Sequence, residues 1–444
     1  MAEKRVTFAS KIGIVAAAAG SAVGLGNIWR FPSQTADSGG ALFILLYIGC
    51  ILFFGIPLMM SEFIIGRGSR ANSAGAFHKL APGTPWKWVG RLGVLTGFVI
   101  MGFYMVVCGW TLDYVFQALT GSLHTVTDFS ANFNNLLSSP LRQTGWMILF
   151  TLMTAFFILS GVKKGIEQSS KIMMPILFLL LIILALRSVF LEGSSAGLAF
   201  LFHPDAAHLN PTLFLDAMGQ AFFSLSIGMG CMITYGSYFN NDTNFTQTAV
   251  QVSILDSLVA ILAGIIIFPS AFALTSNPDT ITDELVAGGP GLLFITLPEL
   301  FNQMPLSFIW GSLFFCLLAL AALTSTISLM EVVTLYIHEE YRFTRRKSTL
   351  LVTAGVILLG IGSSFSPWLF NLMDVASAKV MLPLGGLFIS LFVGWYLDKR
   401  MVAAQITNNG TIKLGVGFLK IYVFLLRYIA PLAILAIFIY GLVG

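Results

Sequence analysis

Eleven stretches of this chain are each long and apolar enough to cross a bilayer, which takes about 20 mostly apolar residues per helix. They run over 11–35, 41–66, 90–120, 142–160, 170–190, 214–239, 247–274, 306–337, 348–370, 376–397 and 417–443. Runs of that length read as helices, so the expected fold is an all-α polytopic membrane protein. Composition agrees: 57% of the 444 residues are hydrophobic, 10% are charged, and mean hydropathy is +0.87. So few charges cannot cover the surface of a water-soluble protein of this size. A cytosolic enzyme, a secreted disulfide scaffold and a disordered chain are excluded. The net charge of +4 is too small and dispersed to suggest nucleic acid. Cys50, Cys108, Cys231 and Cys316 each lie inside an apolar run and read as small buried hydrophobes. The charged start (Glu3, Lys4, Arg5) leads straight into the first span, with no cleavage site of a signal peptide before it.

Basic residues orient the spans. With the N-terminus in the cytoplasm, nineteen of the 24 Lys and Arg fall on the inner side, as the positive-inside rule requires. The others are Arg30, Arg142, Arg187, Lys379 and Arg427. An odd number of spans then leaves the C-terminus outside. The longest connections, about 121–141 and 275–305, are rich in Ser, Asn, Gly, Pro and acids and read as extramembrane loops. Sequons at Asn241, Asn244 and Asn409 fall on the inner side and are chance matches.

Two spans are interrupted. The first contains GSAVGLGN (Gly20 to Asn27) and the sixth SLSIGMG (Ser224 to Gly230), both at mid-span. Glycine costs about 1 kcal/mol inside a helix, so glycines beside hydroxyls and amides mark a point where a helix opens. Small residues in one span also suit close helix packing. Two such segments five spans apart suggest inverted repeats with breaks in corresponding positions, the pattern of a transporter binding site. Opened backbone is tolerated at membrane depth where it lines a cavity. Its carbonyls can replace the water around a small cation, and half-helix N-termini can hold an anion.

At these residues a family resemblance appears. The run GLGNIWRFP (Gly24 to Pro32) resembles the first-helix motif of the sodium-coupled neurotransmitter and amino-acid symporters, in particular their bacterial leucine-transporter branch. Further matches are GIPLMMSEFIIGR (Gly55 to Arg67), GIEQSSKIMMP (Gly165 to Pro175), GQAFFSLSIGMGCMITY (Gly219 to Tyr235), FITLP (Phe294 to Pro298) and LTST (Leu323 to Thr326). The resemblance implies ten core helices in a 5+5 inverted repeat, with helices 1 and 6 unwound at mid-membrane. The organisation would be a cytoplasmic segment (1–10), a first repeat (11–190), an extracellular loop (191–213), a second repeat (214–397), then a cytoplasmic loop and helix 11 (398–444). Eleven spans rather than the more usual twelve leave that core intact.

The resemblance also implies roles for residues. A first sodium site would use the Ala22 carbonyl, Asn27, Ser224 and Asp256, completed by the substrate carboxylate. The family usually has Asn at position 256, and Ala260 stands where some bacterial members carry Glu. An Asp within a span is a functional candidate by default. Asp256 would supply the negative charge that eukaryotic members take from chloride, so transport is expected to be chloride-independent. A second sodium site would use carbonyls of Gly20, Val23 and Ala321 with the Thr324 and Ser325 hydroxyls. The substrate ammonium would meet carbonyls of Ala22, Phe223 and Ser226; the carboxylate would meet the Leu25 and Gly26 amides and the Tyr104 hydroxyl. Gly24 stands where monoamine-transporting relatives carry Asp, which favours an amino acid. Ile100, Phe223, Met229 and Leu329 would line the side-chain pocket, with Ser325 at its edge, an apolar lining that favours hydrophobic substrates. Met229 replaces a Phe of the leucine transporter and, being flexible, would admit several sizes, from Leu-like to aromatic.

Gates follow in the same way. Arg30 and Asp374 would close the outer vestibule directly or through water, with Tyr104 and Phe223 as a lid. Arg5 and Glu339 would close the inner side, supported by Ser237 and Tyr238. In span 5, Gly165 and Pro175 bracket a weakened segment, expected to unwind and admit water to the second sodium site. The expected function is thus sodium-coupled symport of hydrophobic L-amino acids by alternating access in the plasma membrane. Partners are the substrate and lipid; no nucleic acid and no organic cofactor are expected, only two sodium ions. An ion-coupled carrier of another zwitterion is the alternative. An enzyme is not expected: the five histidines (His78, His124, His203, His208, His338) lie in loops or at span ends without metal-pair spacing. Nor are the pore-helix or charged-ring motifs of a channel evident.

Overall fold

The protein is described by a computed structural model covering residues 6–204, 211–274, 285, 290–413 and 416–443. The described residues are overwhelmingly helical and contain no strand. Among the described residues, nine helices are long and apolar enough to span a membrane. They are span 2 (Ala41–Ser69), span 3 (Lys87–Thr120), span 4 (Pro140–Leu159), span 5 (Val162–Val189), span 7 (Phe245–Leu274), span 8 (Ser307–Glu340), span 9 (Arg345–Phe365), span 10 (Pro367–Tyr396) and span 11 (Gly417–Gly441). Span 1 is a broken pair, Lys11–Ala22 and Gly26–Asp37, bent by 54°. Span 6 is two short pieces, Pro211–Ser224 and Cys231–Gly236, neither long enough alone.

Burial separates scaffold from lipid face. The most apolar stretch of span 8 is 78% buried inside the protein, and that of span 11 only 22%. Spans 3 and 8 pack along each other and flank the broken helices. All four cysteines are free thiols; Cys50, Cys108 and Cys231 are buried and Cys316 partly so.

The two breaks have different local causes. In span 1 the helix ends when Val23 turns extended (φ −69°, ψ 116°). In span 6 three residues take left-handed backbone: Ser226 (φ 54°), Gly228 (φ 88°) and Gly230 (φ 78°). A Cβ at Gly228 would stand 2.6 Å from the Leu382 carbonyl oxygen of span 10, so this position needs glycine for both its dihedral and its neighbour. Span 5 is helical throughout. It opens with a wide π-type turn, Val162–Glu167, and continues as α-helix through Pro175. The Gly165–Pro175 segment is therefore wound in this conformation, and unwinding requires a second one.

Candidate functional site

The breaks face each other, and buried polar groups collect between them. Asn27 leaves span 1 just after its break and anchors the group. Its Oδ1 accepts the Gly24 N–H at 3.0 Å; its Nδ2 donates to Ser224 Oγ at 2.9 Å and Asp256 Oδ1 at 2.7 Å. Ser224 Oγ donates to Asp256 Oδ2 at 2.6 Å. Spans 1, 6 and 7 are thus joined at one point, and Asn27, Ser224 and Asp256 are all buried. Ala22, a further expected member, is buried at the end of the first half-helix.

Tyr47 completes this cluster and was not expected. From span 2 its hydroxyl donates to Ser224 Oγ and Asp256 Oδ2, each at 3.2 Å. Gln220 ties the two broken spans again, its Nε2 donating to the Gly26 carbonyl at 3.1 Å. Glu62, also in span 2, holds the second half of span 6. Its Oε1 accepts the Gly228 N–H at 2.7 Å and its Oε2 the Ile233 N–H at 3.2 Å. A carboxylate there meets the free N–H groups and positive dipole end of a half-helix. Glu62 could have been found by the reasoning that singled out Asp256: it is an acid inside an apolar span.

The residues expected at the second sodium site also converge. Ser325 Oγ donates to the Val23 carbonyl at 2.8 Å. Thr324 Oγ1 bonds back along its own helix, to the carbonyls of Leu320 (3.2 Å) and Ala321 (3.0 Å). Span 1 approaches closely here: a Cβ at Gly20 would lie 3.2 Å from Thr324 Cβ. The donor set is all oxygen, which suits a hard cation.

Between these two clusters lies the expected substrate position. Tyr104 OH receives the Leu25 N–H at 3.2 Å. A Cβ at Gly24 would stand 2.5 Å from Ser325 Oγ and 3.1 Å from Tyr104 OH, so spans 1, 3 and 8 approach closely here and a larger residue at 24 would displace Ser325 and Tyr104. A Cβ at Gly97 would touch Leu329 Cδ2 at 3.7 Å and the Met229 carbonyl oxygen at 3.8 Å. Ile100, one turn further along span 3, is nearly buried, as are Met229 and Leu329. Ser226 Oγ donates to the Ser21 carbonyl at 2.9 Å. Gly26 packs against the Phe223 ring.

Outside this core, the Arg30 guanidinium lies 4.7 Å over the Phe223 ring centroid. Among the described residues the ion pairs are Arg142–Asp113, Lys171–Glu167 and Arg345–Glu331, so Arg30 and Asp374 do not meet directly. A cavity of about 320 Å³ opens here, lined in part by Arg30, Asp216, Phe223, Lys379 and Ile434.

On the opposite side Arg5 lies outside the described residues. Glu339 Oε2 accepts from the Asn72 backbone N–H at 2.8 Å and Asn72 Nδ2 at 3.0 Å. Ser237 Oγ donates to the Thr234 carbonyl. The Tyr238 hydroxyl donates to Glu331 Oε1 at 2.6 Å. Glu331 is fully buried and takes a two-pronged pair from Arg345, at 3.0 and 2.6 Å. The N-terminal segment is held below: Phe8 N–H donates to the Tyr238 carbonyl, and its ring packs edge-on against Tyr235 and Tyr238. Neither Glu331 nor Phe8 was expected, although Glu331 is another acid within a span.

Comparison with known proteins bears on this arrangement. The model of the sodium:neurotransmitter symporter family matches residues 5–139 and 125–444. A sodium-dependent transporter of Bacillus subtilis (strain 168), YhdH, is 36% identical over 100% of this chain and 98% of its own length. A sodium-dependent transporter of Haemophilus influenzae is 34% identical over 99% of each. The crystal structure of MhsT in complex with L-phenylalanine is 43% identical, with a TM-score of 0.89, over 99% of this chain and 100% of that one. The chain belongs to the sodium:neurotransmitter symporter family and is a sodium-coupled membrane transporter rather than an enzyme.

Proposed function

We propose that the chain carries hydrophobic L-amino acids, aliphatic and aromatic, together with two sodium ions, and that it does so without chloride. The observation that carries this reading is the joint between the breaks. The Leu25 N–H and Tyr104 OH form one polar end, Gly24 puts no side chain between them and Ser325, and Ile100, Met229 and Leu329 supply an apolar wall. A zwitterion with an apolar side chain matches that division. The neighbouring structure of MhsT holds L-phenylalanine, which supports an aromatic substrate here.

The first sodium ion would sit among Ala22, Asn27, Ser224 and Asp256, in contact with the substrate carboxylate. Ion and substrate binding then depend on each other. The second would sit among Gly20, Val23, Ala321, Thr324 and Ser325. Its binding requires the Thr324 and Ser325 hydroxyls to turn their protons away from the carbonyls they now serve. Each ion crossing 100 mV yields roughly 2.3 kcal/mol. Two yield about 4.6 kcal/mol, enough for roughly a two-thousandfold accumulation of a neutral zwitterion before any concentration gradient is added.

The cycle is alternating access. Arg30, Asp374, Tyr104 and Phe223 close the outer side, with water bridging Arg30 to Asp374. Arg5, Glu339, Ser237 and Tyr238 close the inner side. Gly165 and Pro175 delimit the part of span 5 that opens the second ion to the cytoplasm. The protein sits in the plasma membrane with its N-terminus inside and its C-terminus outside.

The test is uptake of labelled Leu, Phe and Trp into proteoliposomes, competed by all twenty amino acids. Sodium is exchanged for potassium, and chloride for gluconate. The expected result is uptake that needs sodium, ignores chloride and is blocked by aliphatic and aromatic amino acids. Sodium-driven uptake blocked only by polar zwitterions would overturn the substrate class; loss in gluconate would overturn chloride independence.

A further inference from the structure

Glu167 lies where spans 1 and 5 meet, and the transport scheme above does not use it. It is the last residue of the wide turn that opens span 5, and is only 2% exposed. Its Oε2 accepts the Ala9 N–H at 2.7 Å. Its Oε1 accepts the Ser10 hydroxyl at 2.9 Å and lies 2.8 Å from Lys171 Nζ. Ser10 is the N-cap of the half-helix Lys11–Ala22, its Oγ accepting the Gly13 N–H at 3.1 Å. The carboxylate therefore grips the first half-helix by its capping residue, at the end where free N–H groups and the dipole favour negative charge. The contact is intimate: a Cβ at Gly13 would stand 2.2 Å from Glu167 Oε1 and 2.3 Å from its Cγ. The glutamate arm lies flat across the first turn, and only glycine leaves it room.

We propose that Glu167 is a positioning residue for the inward step of transport, a latch that holds the half-helix Lys11–Ala22 against span 5 and ties its release to unwinding of the Gly165–Pro175 segment. The inference rests on the alternating-access reading above. The coupling follows from which bonds are shared. Glu167 lies two residues after Gly165 and eight before Pro175. Its pair with Lys171 is an i, i+4 contact that exists only while this stretch is helical. Unwinding the segment withdraws the carboxylate from Ala9 and Ser10. Lifting the half-helix leaves it with Lys171 alone. Each event breaks bonds that the other would otherwise have to break, so the second costs less than the first. Room for both lies alongside, in a cavity of about 570 Å³ between spans 1, 5 and 7 whose lining includes Lys11, Val15, Lys171 and Pro175.

The test reads the latch directly. Ala17, 1% exposed on the first half-helix, is replaced in an Ala17→Cys, Cys316→Ala parent. A membrane-impermeant maleimide is added to inside-out vesicles in sodium or in potassium, with the chain lacking Ala17→Cys as background. Removing charge-assisted bonds of this kind from the closed state should speed labelling of Glu167→Gln in sodium about tenfold or more. Glu167→Asp, which keeps the charge on a shorter arm, should restore part of the protection. Ser10→Ala should act through the same bonds, so Glu167→Gln with Ser10→Ala should label no faster than Glu167→Gln alone. If Glu167→Gln does not fold, Ser10→Ala carries the test with an expected increase of about threefold. Labelling within twofold of the parent, or effects of the two substitutions that multiply, would overturn the latch. Unmodified protein without sodium-driven amino-acid uptake would overturn the transport reading; sodium-driven uptake with unchanged labelling would overturn the latch alone.

Discussion

Replacing Asp256 by Asn tests the first ion site with the least change of shape. Asp256 accepts from Asn27 Nδ2 at 2.7 Å, Ser224 Oγ at 2.6 Å and Tyr47 OH at 3.2 Å. An amide has one acceptor oxygen. Asn27 can only donate through its Nδ2, so the new oxygen must face it, and the new NH₂ faces two hydroxyls that can turn to accept. The cluster stays bonded, but three charge-assisted bonds become neutral ones, a loss of about 1 kcal/mol each. The larger effect falls on the ion. A unit charge removed about 4–6 Å from a cation is worth roughly 3–4 kcal/mol at an effective dielectric of 20. Partial compensation by the amide dipole leaves about 2–3 kcal/mol, or roughly 30- to 150-fold in sodium affinity. The assay is sodium-dependent binding of labelled Leu in nanodiscs, with gluconate as the only anion and then with chloride. The half-saturating sodium concentration should rise at least about 30-fold in gluconate, and chloride should recover part of it by restoring a negative charge. An unchanged sodium dependence in gluconate would refute the assignment of Asp256 to the ion site.

Other substitutions probe other joints. Tyr104→Phe removes the hydroxyl beside the Leu25 N–H and should weaken amino-acid binding about tenfold, read by the same binding assay, while sodium affinity without substrate stays put. Arg345→Ala strands the buried Glu331 carboxylate with Tyr238 as its remaining strong donor and should cost about 3–5 kcal/mol. Arg345→Met with Glu331→Gln removes both charges and should recover most of the lost melting temperature. Pro175→Ala restores a backbone donor inside span 5 and should slow release of substrate to the inside, measured as slower efflux from preloaded vesicles with equilibrium binding unchanged.

The breaks in spans 1 and 6 are legible in the sequence because glycine carries its own conformational cost, which no partner need reveal. The structure adds that the two breaks are unlike: one is an extended valine, the other a run of left-handed residues. Asn27 and Ser224 are legible through the family motifs, Asp256 as an acid within a span where the family usually has Asn, and the structure brings them together. Tyr47 and Glu62 sit in a span so uniformly apolar that its pattern does not say which face is buried. Glu62 and Glu331 still carried a signal, since each is an acid within a span, but the gate reading favoured Glu339 at the end of its helix. Ser10, Ala9 and Glu167 could not be joined from sequence: they lie 157 and 158 residues apart, and their spacing shows no periodicity. Helical winding of span 5 was equally hidden, because Gly165 and Pro175 report where a helix is weak and not which state it is in.

The buried acids reveal a division of labour. Four of them bind the two broken spans. Glu62 from span 2 holds the N-terminus of the second half of span 6, and Glu167 from span 5 holds the N-terminus of the first half of span 1. Asp256 from span 7 joins both spans at their breaks, and Glu331 from span 8 takes Tyr238 just beyond the end of span 6. Asp113, the exception, pairs with Arg142 between spans 3 and 4. A half-helix has unsatisfied N–H groups at its start, and within lipid only the protein can satisfy them. Carboxylates on unbroken neighbours meet that need and decide how firmly each half is held. Glu62 and Asp256 act at mid-span, where bonds can persist while the halves pivot. Glu167 and Glu331 act near the N-terminal segment, on the side that the proposed cycle takes as the inner one, where bonds must break for that path to open. In the proposed cycle the same side chains set the stability of the closed state and the rate of inward opening, so substitutions at Glu167 and Glu331 should change the second more than substitutions at Glu62 do.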